Sequence, residues 1–367
     1  MLSGHPSDLI LTESFHGTVI AWARQGGFFK AQHPSEAARV DGTCSLESAW
    51  KAWAHAEESC RLVIGLHIHD AEFATTFHHE PFLRHTATAS LGCCSEALFS
   101  AATATQWRER LGSLPRHSGP NDSCQSSYPT IPLLSPKESH IAAYAALSGI
   151  LASVKEKRCA ATLDAPSVQH CRGALLTWHN DFSGLFQGPS HEPTSLHVLW
   201  HEVFMMLYAD FDLLERAIGR DGQVATNKAS ESMQQWSVSS EARRSVLHAL
   251  FILKHVENLP SGSGVAIHVP KALFCSGIVI YNYINSATRL NLSTPLSHDD
   301  LDMPEFREAG PLDGGGNDVS PPAILSPVDT SMLCYIVDLL RRVGHWGISR
   351  RYATILENLL DGLAGHD

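Results

Sequence analysis

Residues 196–222 read LHVLWHEVFMMLYADFDLLERAIGRDG, and the spacing of their apolar side chains predicts the fold class. From Trp200 to Ile218 the large apolar residues recur at steps of four, three, four, three and four. This spacing places them along one side of an α-helix, so we predict a single long amphipathic helix here. Asp212 and Arg216 are spaced to form an ion pair one turn apart on that helix.

Further helix patterns follow this stretch. Ser239 and Ser240 can cap a helix that continues through EARRSVLHALFILKHVENL. Pro270 suits the first turn of a third helix running to Tyr283, which is apolar on nearly every side and therefore central to the core. DTSMLCYIVDLLRR and SRRYATILENLL flank VGHWGI, which predicts a hairpin of two short helices. Because no convincing alternating strand pattern is present, we predict an all-α fold.

The composition is that of a globular chain without a DNA-binding surface of its own. The 367 residues can bury a sizeable core, and 44% of them are apolar. The formal net charge of −11, from 38 acidic and 27 basic residues, opposes contact with phosphate groups. Nine cysteines without framework spacing predict free thiols in a reducing compartment. No apolar run is long enough to cross a bilayer, so we predict no membrane contact.

Two irregular stretches interrupt the helical pattern. Residues 114–136 and 286–328 are rich in glycine, proline, serine and aspartate, a composition typical of loops. We therefore predict one helical domain over residues 1–364 with loop insertions at these two places.

The stretch HIHDAEFATTFHHE, residues 67–80, has the composition of a metal site. His67 and Asp70 form one pair of ligand-type side chains, and His69 and Glu72 form another. Each residue of a helix turns the chain by about 100°, so the two pairs point to nearly opposite sides. One metal ion cannot reach both, and we interpret the stretch as a core histidine with polar groups at a helix end. No catalytic, cofactor or metal residue is assigned.

A second histidine pair, His197 and His201, lies one helical turn apart and is followed by a glutamate, as in a zinc-protease helix. The motif H-E-x-x-H would need a histidine at Met205, so the pattern fails at its most specific position. A helical metalloenzyme using His67, Asp70, His197 and His201 stays open as a competing hypothesis.

Four stretches resemble one known family. Residues 196–222 are similar to the signature helix of the fungal-specific transcription factor domain, the regulatory region that accompanies paired C2H2 zinc fingers. ESFHGTVIAWARQGGFF, RLVIGLHIHDAEFATTFHHEPFLRH and VENLPSGSGVAIHVPKALFCSGIVIY resemble other parts of it. The matches extend from about residue 14 to residue 285.

The resemblance implies a non-enzymatic, all-α regulatory domain of a nuclear transcription regulator, often of a biosynthetic or catabolic gene set. It implies a coactivator or transcription factor as partner, and a small-molecule inducer. HHEP and FDLLERAIGRDG belong to the helical scaffold in this family. Asp210, Asp212 and Glu215 then form a solvated face or pair with Arg216 and Arg220, with coactivator or inducer contact as the alternative.

The zinc fingers of the family are absent from the sequence, because no cysteine pair has C2H2 spacing. Contact with DNA is therefore expected only indirectly. Three explanations stay open: a fragment or mis-predicted gene product, a paralogue that lost its fingers, or a chain trimmed to its regulatory domain. A finger-less co-regulator, acting through a DNA-binding partner, is the second alternative function.

Overall fold

Fourteen α-helices and no strand make up the regular structure in the described part of the chain. The computed structural model describes residues 3–30, 34, 45–85, 93–113, 139–187, 192–259, 264–290, 303–308, 328–344 and 346–364. The helices are α1 Pro6–Gln25, α2 Leu46–Thr76, α3 Glu96–Phe99, α4 Ala104–Ser113, α5 His140–Cys159, α6 Ala165–Phe182, α7 Glu192–Tyr208, α8 Phe211–Ala217, α9 Gln223–Ser237, α10 Ser240–Glu257, α11 Val269–Leu290, α12 Pro304–Glu308, α13 Thr330–Arg342 and α14 Gly347–Ala364. Phe28–Lys30 and Ser183–Gln187 are short 3-10 helices. The predicted all-α fold is confirmed.

Helix α2 is 31 residues long, and its second half includes residues 67–76 of the histidine-rich stretch. The hydroxyl of Ser45 accepts a hydrogen bond from the N–H of Ser48 at 3.2 Å, which caps the first turn. The helix ends at Thr76, five residues before Pro81, and a proline disfavours the helical conformation of the residue that precedes it. His78 then adopts a left-handed backbone conformation with φ of 55°, and the chain turns back.

Helices α7, α10 and α11 form the centre of the core. Trp200 and Phe204 of α7 are fully buried, and the indole N–H of Trp200 donates to the carbonyl of Leu175 at 2.9 Å. Helix α10 begins where predicted, because Ser239 accepts a hydrogen bond from the N–H of Ala242 at 3.1 Å. Helix α11 is buried on nearly every side, so its predicted place in the core is confirmed.

The predicted single helix from Trp200 to Ile218 is wrong, because the chain forms two helices there. Helix α7 ends at Tyr208 and α8 begins at Phe211. Between them Asp210 is extended, and its Oδ1 accepts hydrogen bonds from the N–H groups of Asp212 at 3.1 Å and Leu213 at 3.4 Å. An aspartate that bonds to nearby backbone N–H groups favours a new helix start over a continued helix. Because the apolar spacing continues across this break, the sequence pattern alone does not indicate where the first helix ends.

The predicted C-terminal hairpin is confirmed as α13 and α14, which pack against α11. The approach of α14 to α11 is close at Gly277, where an added Cβ would lie 2.6 Å from Cδ1 of Leu356. Arg351 of α14 also donates a hydrogen bond to the carbonyl of Gly4 at 3.1 Å. Helix α14 therefore contacts both the core and the residues before α1.

The predicted loop insertions are only partly within the described ranges. Residues 114–136 lie outside them. In the second stretch, residues 286–290 continue α11 and residues 304–308 form α12, so the loop prediction for 286–328 is wrong at these positions. Residues 291–302 and 309–327 of that stretch lie outside the described ranges.

Two predictions from composition can be compared with the structure. The seven cysteines in the described ranges are all free thiols, in agreement with the prediction. None of the helices described here has the length and hydropathy needed to cross a bilayer.

Candidate functional site

The histidine-rich part of α2 is organised around Asp70, whose side chain is fully buried. Its carboxylate accepts hydrogen bonds from His16 Nε2 at 2.8 Å and His85 Nε2 at 3.1 Å. The N–H groups of Phe82 and Leu83 donate to it at 3.1 and 2.9 Å. Burial raises the pKa of a carboxyl, but here these four hydrogen bonds outweigh burial and hold the pKa of Asp70 well below its usual range. Asp70 therefore links both α1 and the turn after α2 to α2 through these hydrogen bonds.

His67 and His69 stand on either side of Asp70. The ring centroid of His67 lies 5.0 Å from that of His85, and the ring centroid of His69 lies 5.4 Å from that of His16. Burial lowers the pKa of both His67 and His69 to about 4, so both rings are neutral at pH 7. The group of rings around Asp70 is packed as part of the helical scaffold.

His197 and His201 belong to a separate group of rings on α7. His197 stacks on a histidine of α10, while Nδ1 of His201 lies 2.9 Å from Nδ1 of His248. Within the described ranges, no group of three or more His, Cys, Asp or Glu side chains is arranged to hold a metal ion. The structure does not bring His67 and Asp70 together with the α7 histidines as ligands, so the metalloenzyme hypothesis has no geometric support.

A cavity of about 440 Å³ lies where α2, α8, α11 and α14 meet beside the start of α1. Its apolar walls include Phe77, Ile218, Phe274, Tyr352 and Ile355. The rings of Phe274 and Tyr352 stack with their centroids 4.3 Å apart and their planes at 12°. Small-molecule sites are concave, mostly apolar and about 300–1,000 Å³ in volume, with a few polar groups that fix orientation. This cavity has the size and lining of such a site.

One buried cation, Lys271 of α11, lines this cavity. Its ammonium donates a hydrogen bond to the hydroxyl of Thr75 on α2. Nζ lies 3.8 Å from Oε2 of Glu72 and 3.9 Å from Oε1 of Glu202. Both separations exceed hydrogen-bond length, so Lys271 lies between two buried carboxyl groups without a hydrogen bond to these oxygens.

The two carboxyl groups beside Lys271 resist ionisation. Burial raises the pKa of Glu202 to about 8, although the charge of Lys271 acts in the opposite direction. Burial raises the pKa of Glu72 as well. In the described part of the chain, both side-chain oxygens of Glu202 and Oε1 of Glu72 lack a hydrogen-bond partner. Burial therefore opposes ionisation of the carboxyl groups on both sides of Lys271.

The solvent-facing side of the cavity carries Arg351, Arg220 and Glu215. Oε2 of Glu215 accepts hydrogen bonds from His78 Nε2 at 2.9 Å and from Arg220 at 3.2 Å. Arg220 also pairs with Asp212 at 2.6 Å, so the predicted pairing with arginines is confirmed for Asp212 and Glu215, whereas Asp210 accepts hydrogen bonds from the backbone N–H groups of Asp212 and Leu213. His78 lies in the HHEP turn, and its contact with Glu215 joins two of the stretches that carry the family resemblance.

Sequence reasoning missed Lys271 and the cavity. A signal was present, because Lys271 is the single charged residue in the apolar run HVPKALFCSGIVIYNYI. A lysine on a helix that is apolar on nearly every side must be buried, and a buried ammonium needs polar partners. Which groups surround it depends on helices distant in sequence.

Comparison with known proteins adds no assignment to these findings. No protein-family model matches the sequence, and no curated protein and no solved structure is significantly similar to the chain. The family resemblance accordingly stays a prediction that rests on the residues quoted for it.

Proposed function

We propose that this chain is the ligand-responsive regulatory domain of a nuclear fungal transcription factor. The observation that carries the proposal is the cavity at the junction of α2, α8, α11 and α14. The sequence resemblance over about residues 14–285 supports the family and the nuclear role. The proposed role is binding and relay, with no catalytic step.

The position of the cavity suits a relay of ligand binding. Its lining comes from five helices or the turns after them, which are distant in sequence and do not form one continuous unit. A ligand that fills the space between them contacts all of them at once. Binding shifts a conformational equilibrium only when the ligand has different affinities for the two states. A site whose shape depends on the packing of several helices meets that condition.

DNA is reached indirectly in this proposal. The net charge of −11 opposes binding to phosphate groups, which specific and non-specific DNA binding both require. Zinc fingers or a DNA-binding partner provide the contact with DNA, and a coactivator recognises the conformation of the helical domain.

The test is a reporter assay with residues 1–367 fused to an unrelated DNA-binding domain. We expect the fusion to change reporter output between growth conditions. Ile355→Trp fills the cavity and should abolish this response at unchanged protein level. Ile150→Trp is the matched control, since Ile150 is also half-buried but lies on α5 outside the cavity. Constant output of the unmodified fusion under all conditions would overturn the proposal.

A further inference from the structure

The ionisable groups that line the cavity are mainly cationic, in contrast to the chain as a whole. The lining holds Lys271, Arg220 and Arg351 against a single carboxylate, Glu215. That carboxylate is already hydrogen-bonded to His78 and Arg220. Arg220 is also paired with Asp212 and Asp221. In a chain with 38 acidic and 27 basic residues, the positive charge that favours an anionic ligand is therefore that of Lys271 and Arg351 on the cavity wall.

Lys271 is the cation best placed to bind the charged end of that ligand. Its side chain is 8% exposed, and the described hydrogen bond of its ammonium is to one hydroxyl. An ammonium has three donors, and a buried charge is stabilised when a counter-charge reaches hydrogen-bond distance. Its two carboxyl neighbours stay at 3.8 and 3.9 Å. An anion from the cavity would provide the missing partner.

The remainder of the lining defines the other end of the ligand. Ile218, Ile355 and Leu359 are apolar, and the stacked rings of Phe274 and Tyr352 form a flat apolar surface. A charged group placed against these walls would lose hydration without a partner, whereas an alkyl or aromatic group would be stabilised. The cavity therefore has a cationic group, Lys271, at one end and apolar walls along the rest of its length.

We propose that the cavity binds a monocarboxylic acid with an apolar body, whose carboxylate accepts a hydrogen bond from Lys271 and whose body lies against Phe274 and Tyr352. This names the ligand class of the proposed regulatory site and rests on that proposed function.

Isothermal titration calorimetry of the full chain with three probes of equal chain length tests the charge preference. The probes are decanoate, decan-1-ol and decylammonium, which differ only in the head group. We expect decanoate to bind at least about tenfold more tightly than the alcohol, because a hydrogen bond to a charged group contributes about that factor. The ammonium probe should bind more weakly than both.

Two variants assign this preference to Lys271. Lys271→Met keeps the apolar stem and removes the charge, so it should reduce decanoate affinity at least about tenfold and leave the alcohol unchanged. Lys155→Met is the matched control, because Lys155 is buried to a similar degree on α5 but does not line this cavity. Ile355→Trp should block both probes, and it does not depend on the folding of the Lys271 variant.

The outcomes separate this proposal from the proposed function. Equal affinity for decanoate and the alcohol, or tighter binding of the ammonium probe, overturns the ligand class and leaves a cavity that binds apolar molecules. Loss of decanoate binding in Lys155→Met overturns the assignment to Lys271. Failure of all three probes to bind overturns the ligand class, while the reporter assay with Ile355→Trp decides the proposed function independently.

Discussion

Replacement of Asp70 by asparagine tests whether this residue fastens α1 and the turn after α2. The carboxylate accepts four hydrogen bonds, two of them from His16 and His85. Asparagine keeps one oxygen and replaces the other by an NH₂ group, so two of the four donors lose their acceptor. Two lost hydrogen bonds to a charged group at about 1.5–3 kcal/mol each give about 3–6 kcal/mol. We therefore expect Asp70→Asn to lower the free energy of unfolding by about this amount.

The assay is urea unfolding followed by tryptophan fluorescence and far-UV circular dichroism. A shift of the midpoint at unchanged slope measures the loss of stability. Asp338→Asn is the matched control, since Asp338 is exposed on α13 and the same chemical change there should be neutral.

The pH dependence has a definite sign. The pKa of Asp70 in the folded chain lies below its value in the unfolded chain. Its contribution to stability is therefore complete above the unfolded pKa of about 4, and is lost as the pH falls towards the folded pKa. The difference between the wild-type chain and Asp70→Asn should narrow below about pH 4. A difference of less than about 1 kcal/mol at neutral pH would refute the proposed role of Asp70.

Two further predictions concern the helices around the cavity. The pKa of Glu202 is raised to about 8 in the folded chain, so its contribution to stability is complete below the unfolded pKa of about 4.5 and is lost as the pH rises to about 8. As the pH rises across this range, the Glu202→Gln variant should become more stable relative to the wild-type chain, by up to about 1.4 kcal/mol per pH unit. The measurement is the urea midpoint of each chain at about pH 5 and at about pH 8. The same change in midpoint between the two pH values in both chains would contradict this prediction. Gly277→Ala should lower the melting temperature, because the added methyl group contacts Leu356 at a separation that costs about 1–3 kcal/mol of overpacking. Gly173→Ala on α6, where nothing lies within 4 Å of the added Cβ, should instead be neutral or stabilising, and equal melting temperatures for both variants would refute the close approach of α14 to α11.

The helices and several of their ends could be predicted from the sequence, because the determinants are local. Apolar residues repeat at steps of three and four along a helix, a serine precedes α10, and a proline follows the histidine-rich stretch. Each of these features influences only the residues close to it in sequence. The ion pair between Asp212 and Arg216 is local for the same reason, and it is present. The break at Asp210 was missed although its cause is also local, since the apolar spacing continues on both sides of it.

The partners of the histidines and of Asp70 depended on the tertiary structure. The sequence showed that His67 and Asp70 share one side of α2, but His16 lies 54 residues from Asp70 along the chain. No spacing rule predicts a contact over that distance, because it depends on how α1 packs against α2. The histidine-rich composition of residues 67–80 therefore resembled a metal site, whereas in the tertiary structure two histidines from outside that stretch, His16 and His85, donate hydrogen bonds to the carboxylate of Asp70.

The sequence by itself determined that this chain is built from helices, that α11 is central and that the net charge of the chain is negative. The tertiary structure alone placed Lys271 beside Thr75, 196 residues away, and left a cavity next to it. Secondary structure follows from the conformational preferences and spacing of neighbouring residues. A cavity follows from the gaps that remain when separate helices pack, and those gaps are a property of all the packed side chains together.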